Sequence, residues 1–95
     1  MPTVHLPAAL RAYADGRRRV AIALAGPDAT VAAVLDQLGR AHPGVRQRVV
    51  DERGELRRHV NVFVNGTSVR DLAGLATPVA EADEVWIIPS ISGGS

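Results

Sequence analysis

The chain has 95 residues, a formal net charge of +1 and no cysteine. That length builds one hydrophobic core and not two, and the missing cysteines exclude disulfides, thiolate nucleophiles and zinc–cysteine sites. All eleven basic residues are arginines, so the chain offers no lysine amine for linking copies of itself through isopeptide bonds.

The longest apolar runs, Val60 to Val64 and Val85 to Ile88, are too short to span a bilayer. The N-terminus lacks a charged-then-apolar signal pattern. A soluble, cytoplasmic protein with no membrane partner is expected.

Val4 and Leu6 alternate with Thr3 and His5, and Val20, Ile22 and Leu24 alternate with Ala21 and Ala23. This period of two marks half-buried strands, here joined around Asp15-Gly16. The intervening Leu10-Arg11-Ala12-Tyr13 fits either irregular chain or a helical turn. After Gly26-Pro27-Asp28 the period changes: Val31, Val34, Leu35, Leu38 and then Ala41 or His42 fall on one helical face. A helix over roughly Val31 to Ala41 is predicted, capped by Asp28 or Thr30 and stopped by His42-Pro43-Gly44.

Val45 to Arg58 is arginine-rich with a turn at Asp51-Glu52-Arg53-Gly54, and reads as a loop with room for one helical turn. Strand character returns at Val60-Asn61-Val62-Phe63-Val64. Asn65-Gly66 then signals a type I′ hairpin turn, leading to a short return strand through Ser68-Val69-Arg70. Gly74 to Ala82 reads as a loop with room for a short turn, and Glu84 to Ile88 as the last strand, ended by Pro89.

One sheet with one helix across one face buries the single helical stripe. The expected fold is α+β, a β-grasp (ubiquitin-like) domain with a mixed sheet of four to five strands over residues 1–89. Residues 90–95 form a flexible tail carrying Gly93-Gly94. By alternation, Val4, Leu6, Val20, Ile22, Leu24, Val60, Val62, Val64, Val85 and Ile87 should face the helix. Phe63, Trp86 and Ile88 should point the other way, with Thr3, Ala21 and Ala23. An apolar patch beside a free terminus suggests a partner-binding surface, with Pro89 at its edge.

The tail reads Pro89-Ser90-Ile91-Ser92-Gly93-Gly94-Ser95. Glycines without side chains can lie extended in a narrow channel, and six extended residues reach on the order of 20 Å. His5, His42 and His59 have no metal-ligand spacing, and no metal is expected. Asp51, Glu52 and Glu55 with Arg53, Arg57 and Arg58 read as a solvated charge cluster. The arginines are nearly balanced by carboxylates, so no nucleic acid is expected against them, and an acidic partner surface is an open alternative.

Asn61-Val62-Phe63-Val64-Asn65-Gly66, Val69-Arg70, Asp83-Glu84-Val85, Ile87-Ile88-Pro89 and Gly93-Gly94 together resemble the MoaD/ThiS family of ubiquitin-like sulfur carriers. The likeness covers nearly the whole chain. In length and in the Val45 to His59 connection it is more similar to the cysteine-synthesis carrier and the molybdopterin synthase small subunit than to the thiamine carrier.

The resemblance implies that Gly94 is the reactive residue, with Ile91, Ser92 and Gly93 as its tail. A ubiquitin-activating-like enzyme would use ATP to adenylate its carboxylate, and sulfide would convert it to a thiocarboxylate for a sulfur-accepting synthase. The chain itself would be a co-substrate, not an enzyme, with no cofactor bound. Two departures stand out: Ala82-Asp83 replaces the family's usual Gly-Asp, and Ser95 follows Gly94. The second implies trimming by a protease, such as a zinc-dependent deubiquitinase-like metalloprotease. The molybdopterin synthase small subunit, or a ubiquitin-like modifier conjugated to lysines of other proteins, is the alternative reading.

Overall fold

A computed structural model describes residues 1–24, 26 and 28–89. The chain folds in the order β1 (Thr3–His5), α1 (Ala8–Arg11), β2 (Arg19–Ala21), α2 (Val31–Ala41), α3 (Pro43–Val49), β3 (Val60–Val64), β4 (Thr67–Ser68) and β5 (Glu84–Pro89). Short 3-10 turns add Ala12–Ala14, Val69–Asp71 and Gly74–Ala76. The five strands form one mixed sheet in the order β2-β1-β5-β3-β4. β1 runs parallel to β5, and the other pairs are antiparallel.

α2 keeps the predicted bounds. Its Val31, Val34, Leu35 and Leu38 are buried against the sheet. Thr30 supplies the cap, its Oγ1 accepting from the Ala33 N–H at 3.3 Å. The start of α2 is also tied to the loop before β5: the Val31 N–H donates to the Thr77 carbonyl at 2.9 Å, and the Val79 N–H to the Ala29 carbonyl at 3.0 Å.

Val4, Leu6, Ile22, Val60, Val62, Val64, Val85 and Ile87 are buried, and Val20 and Leu24 pack partly against them. The predicted inner face is therefore the observed one. Leu10 to Tyr13, open between two readings, is helical: α1 and the following 3-10 turn put Leu10 and Ala14 into the core.

Two expectations are corrected. His42-Pro43-Gly44 ends α2, but Pro43 also begins α3, which the sequence reading took for loop. Proline suits a first helical position because that N–H needs no partner. A seven-residue helix is marginal alone, and Gly44 costs it about 1 kcal/mol. Burial of Val45 and Val49, worth about 1.5 kcal/mol or more each, outweighs that. Tertiary packing makes this helix, and local propensity does not.

The return strand is also shorter than predicted. It covers only Thr67–Ser68, after which Val69–Asp71 form a 3-10 turn. The Ser68 Oγ accepts from the Arg70 N–H at 3.2 Å, a local capping bond that competes with strand extension. The Arg70 guanidinium then donates to the carbonyls of Arg57 at 2.9 Å and Val60 at 2.7 Å.

The hairpin signal is confirmed, with φ of 50° at Asn65 and 92° at Gly66. Among the described residues, only Asp15 and Asn65 combine positive φ with a side chain. Ala82 therefore replaces glycine without strain, because its position does not demand the left-handed region.

Candidate functional site

In β5 the side chains of Val85 and Ile87 point inward, so Trp86 and Ile88 point outward. They are 43% and 41% exposed, enough apolar surface for a partner to cover. On β3, Phe63 is the cross-strand partner of Trp86 and Asn61 that of Ile88. On the other side of β5, His5 is the partner of Trp86. The row His5, Trp86, Phe63 thus crosses three adjacent strands on the uncovered face.

The His5 ring stacks on the Trp86 indole with centroids 3.7 Å apart and planes 4° from parallel. Its Nε2 pairs with the Glu84 carboxylate, which lies two residues before Trp86 on the same face. The polar border of the patch is equally tied down: Asn61 Oδ1 accepts from the Ser68 hydroxyl at 3.0 Å and from the Val62 N–H at 2.9 Å. These bonds leave the apolar rings as the free surface.

At the start of β5, Asn65 and Asp83 clamp the β3–β4 hairpin to the turn before it. Asn65 Nδ2 donates to Asp83 Oδ1 at 2.8 Å, and Asn65 Oδ1 accepts from the Glu84 N–H at 2.9 Å. Asp83 Oδ2 accepts from the Ala80 N–H at 2.8 Å. This is the structural work done by the Asn65-Gly66 and Asp83-Glu84 motifs.

Pro89 is exposed at the last position of β5, opposite Val60. It lacks an N–H to continue the ladder. The expected site thus divides in two. Phe63, Trp86 and Ile88 share the outer face, Pro89 ends β5 on the helix side by the same alternation, and Ile91, Ser92, Gly93, Gly94 and Ser95 lie outside the described residues.

Two features escaped the sequence reading. His5 carries no functional signal in the sequence, and only the β1–β5 register reveals that it orders the tryptophan. The second is a groove of about 600 Å³ on the helix side of the sheet, at the end where β5 stops. Its walls include Tyr13, Gln47, Arg48, Arg57, His59 and Pro89. The Arg48 guanidinium lies 3.6 Å over the Tyr13 ring, a contact between residues 35 positions apart that periodicity cannot show. Gly44 allows it, since a β-carbon there would lie 3.1 Å from the Tyr13 ring.

The Asp51 cluster is a turn, as read. Asp51 Oδ1 accepts from the Glu55 N–H at 3.0 Å and the Arg53 N–H at 2.9 Å. The Glu55 bond chiefly, aided by the Arg53 bond and the charges of Arg53 and Arg57, holds its carboxyl below the ordinary value of 3.8. Among the described residues no three His, Asp or Glu gather as metal ligands, and no helix is long and apolar enough to cross a membrane.

A mixed sheet whose first and last strands lie parallel at its centre, with helices across one face, defines the β-grasp, ubiquitin-like class. The chain belongs to the ThiS family, whose model matches residues 4–94. The sulfur carrier protein CysO of Mycobacterium tuberculosis is 38% identical over 94 residues, covering 97% of each chain. Small archaeal modifier protein 1 of Haloferax volcanii is 42% identical over 79 residues, 83% of this chain and 85% of that one. In the crystal structure of the Amycolatopsis orientalis BexX/CysO complex, the matching chain superposes with a TM-score of 0.87 at 34% identity, covering 99% of this chain and all of the other.

Proposed function

We propose that this chain is a sulfur-carrier protein whose working group is the carboxylate of Gly94. The observation that carries this reading is the 38% identity to a sulfur carrier protein across 97% of both chains. The family match that runs through Gly94 and the exposed Trp86–Ile88 face on the strand leading to the tail support it.

In this reading the chain is a co-substrate and partner enzymes supply the catalytic groups. A ubiquitin-activating-like enzyme transfers AMP from ATP to the Gly94 carboxylate, releasing pyrophosphate. Sulfide attacks the acyl carbon, the bond to AMP breaks, and a thiocarboxylate remains. A sulfur-accepting synthase takes that sulfur into cysteine or another sulfur-containing product. Phe63, Trp86, Ile88 and Pro89 dock the partners, which raises the effective concentration of the tail at each active site.

Ser95 holds the Gly94 carbonyl in a peptide bond, so hydrolysis of that bond by a metalloprotease precedes activation. Intact mass of the protein recovered from its own cells tests this. The expected species ends at Gly94 with one oxygen replaced by sulfur; a thiocarboxylated species still carrying Ser95 contradicts it.

The 42% identity to Small archaeal modifier protein 1 favours a second reading, in which Gly94 forms isopeptide bonds with lysines of other proteins. Immunoblots of the same cells separate the two. A ladder of conjugates that vanishes when Gly94 is deleted marks a modifier.

A further inference from the structure

The groove beside the end of β5 carries two guanidiniums that form no ion pair among the described residues. Arg48 Nη1 donates to the Gly44 carbonyl at 3.1 Å while its plane rests on Tyr13. Arg57 Nε donates to the Gln47 carbonyl at 2.9 Å. Each side chain is thereby held in place by backbone, with donors to spare. Among the described residues neither forms an ion pair, whereas Arg46, on the same helix as Arg48, is paired with Asp36. The nearby Asp51 feels the charge of Arg57 but spends its carboxylate on backbone N–H groups. No Asp or Glu lines the groove, and His59 adds a further donor.

Resting on the sulfur-carrier reading above, we propose that this groove is the second half of the docking surface. It receives an acidic segment, Asp or Glu side chains, from the partner protein that takes the tail. Pro89 lines the groove and directly follows Ile88 of the outer face, so a partner that grips the tail meets apolar rings on one side and fixed positive charge on the other.

Distance decides what the anion is. Gly94 lies five residues beyond Pro89, or about 17 Å along an extended chain. When the tail lies extended in a partner's channel, a nucleotide reacting at Gly94 keeps its phosphates out of reach of Arg48 and Arg57. What meets the groove is the partner's surface around the entrance through which the tail passes. The groove is also an open trough, with Arg48 and Arg57 both in its wall. That arrangement suits a string of carboxylates against two arginine forks better than one compact phosphate.

The test follows ATP–pyrophosphate exchange by the adenylating enzyme of the same cells, with the Gly94-ending chain as substrate. The variant Arg48→Gln/Arg57→Gln should raise KM for the chain about tenfold, with kcat retained, and flatten the dependence of kcat/KM on ionic strength. Lysine at both positions should restore part of the loss, and Arg17→Gln/Arg18→Gln, outside the groove, should leave KM unchanged. Equal KM for the groove variant and the native chain, or an equal rise for the Arg17/Arg18 variant, overturns the proposal while leaving the carrier reading intact.

Absence of exchange with the native chain sinks the carrier reading instead. NMR titration of the isolated chain with acetylated hexaglutamate then decides the groove separately. Salt-sensitive shifts at Tyr13 and at the Arg48 and Arg57 Nε–H signals support it. No shifts there, or stronger ones with ATP or a single-stranded oligonucleotide, overturn it.

Discussion

The imidazole of His5 lies flat on the indole of Trp86, 3.7 Å between centroids and 4° between planes. His5 comes from the first strand and Trp86 from the last, and the parallel β1–β5 pairing puts them side by side. The contact fixes the largest exposed ring of the outer face before any partner arrives. Such preorganisation lowers the entropy lost on docking.

His5→Ala should therefore weaken partner binding although His5 is not itself the apolar anchor. Aromatic stacks of this kind contribute about 0.5–1.5 kcal/mol, and loss of affinity in that range is expected by calorimetry. Trp86→Ala removes the anchor and should cost about 2 kcal/mol or more. Trp86 is the single tryptophan, so its fluorescence reports this face alone. Unchanged emission in His5→Ala would contradict the stack.

The Asn65–Asp83 clamp predicts a stability effect away from the core. Asp83→Ala removes acceptors for Asn65 Nδ2 and the Ala80 N–H, and bonds to a charged acceptor are worth about 1.5–3 kcal/mol. Urea unfolding should show a loss in that range. Asn65→Gly keeps the positive φ and should cost less than Asn65→Ala, which loses both the amide and the favoured turn conformation.

For α3, Val45→Ala and Val49→Ala should each destabilise by about 1.5 kcal/mol or more, because both side chains are fully buried. A surface connection would give less than about 0.5 kcal/mol. Denaturant midpoints distinguish the two outcomes.

Asp51 sets a pH signature. Its folded carboxyl is held below the ordinary 3.8, so ionised Asp51 stabilises the fold above that value, and the contribution is lost as pH falls through the lowered one. The melting temperature of Asp51→Asn should lie below that of the native chain at neutral pH. The two should converge as pH falls through the lowered value. A constant gap across that range would show that charge is not what Asp51 contributes.

The sheet and α2 were legible because their apolar residues keep strict periods: Val60, Val62 and Val64 alternate, and Val31, Val34, Leu35 and Leu38 recur at helical spacing. The inner and outer faces followed from that alternation alone. α3 was hidden because its arginines and Gly44 read as loop, and only the core it completes makes Val45 and Val49 a helix. The return strand was overextended because Val69 looks like a strand residue until Ser68 caps the turn beneath it. The Arg48–Tyr13 contact and the His5–Trp86 stack depend on register and helix placement, which no short window contains. Gly93 and Gly94 were found by motif, and their role still rests on chemistry to be measured.

That measurement is intact mass of the chain ending at Gly94 after incubation with its adenylating enzyme, ATP and sulfide. The carrier account predicts the mass gain of one oxygen exchanged for sulfur, localised to Gly94, and no such gain for the chain that retains Ser95. An unchanged mass, or covalent attachment to protein lysines in place of the thiocarboxylate, would contradict it.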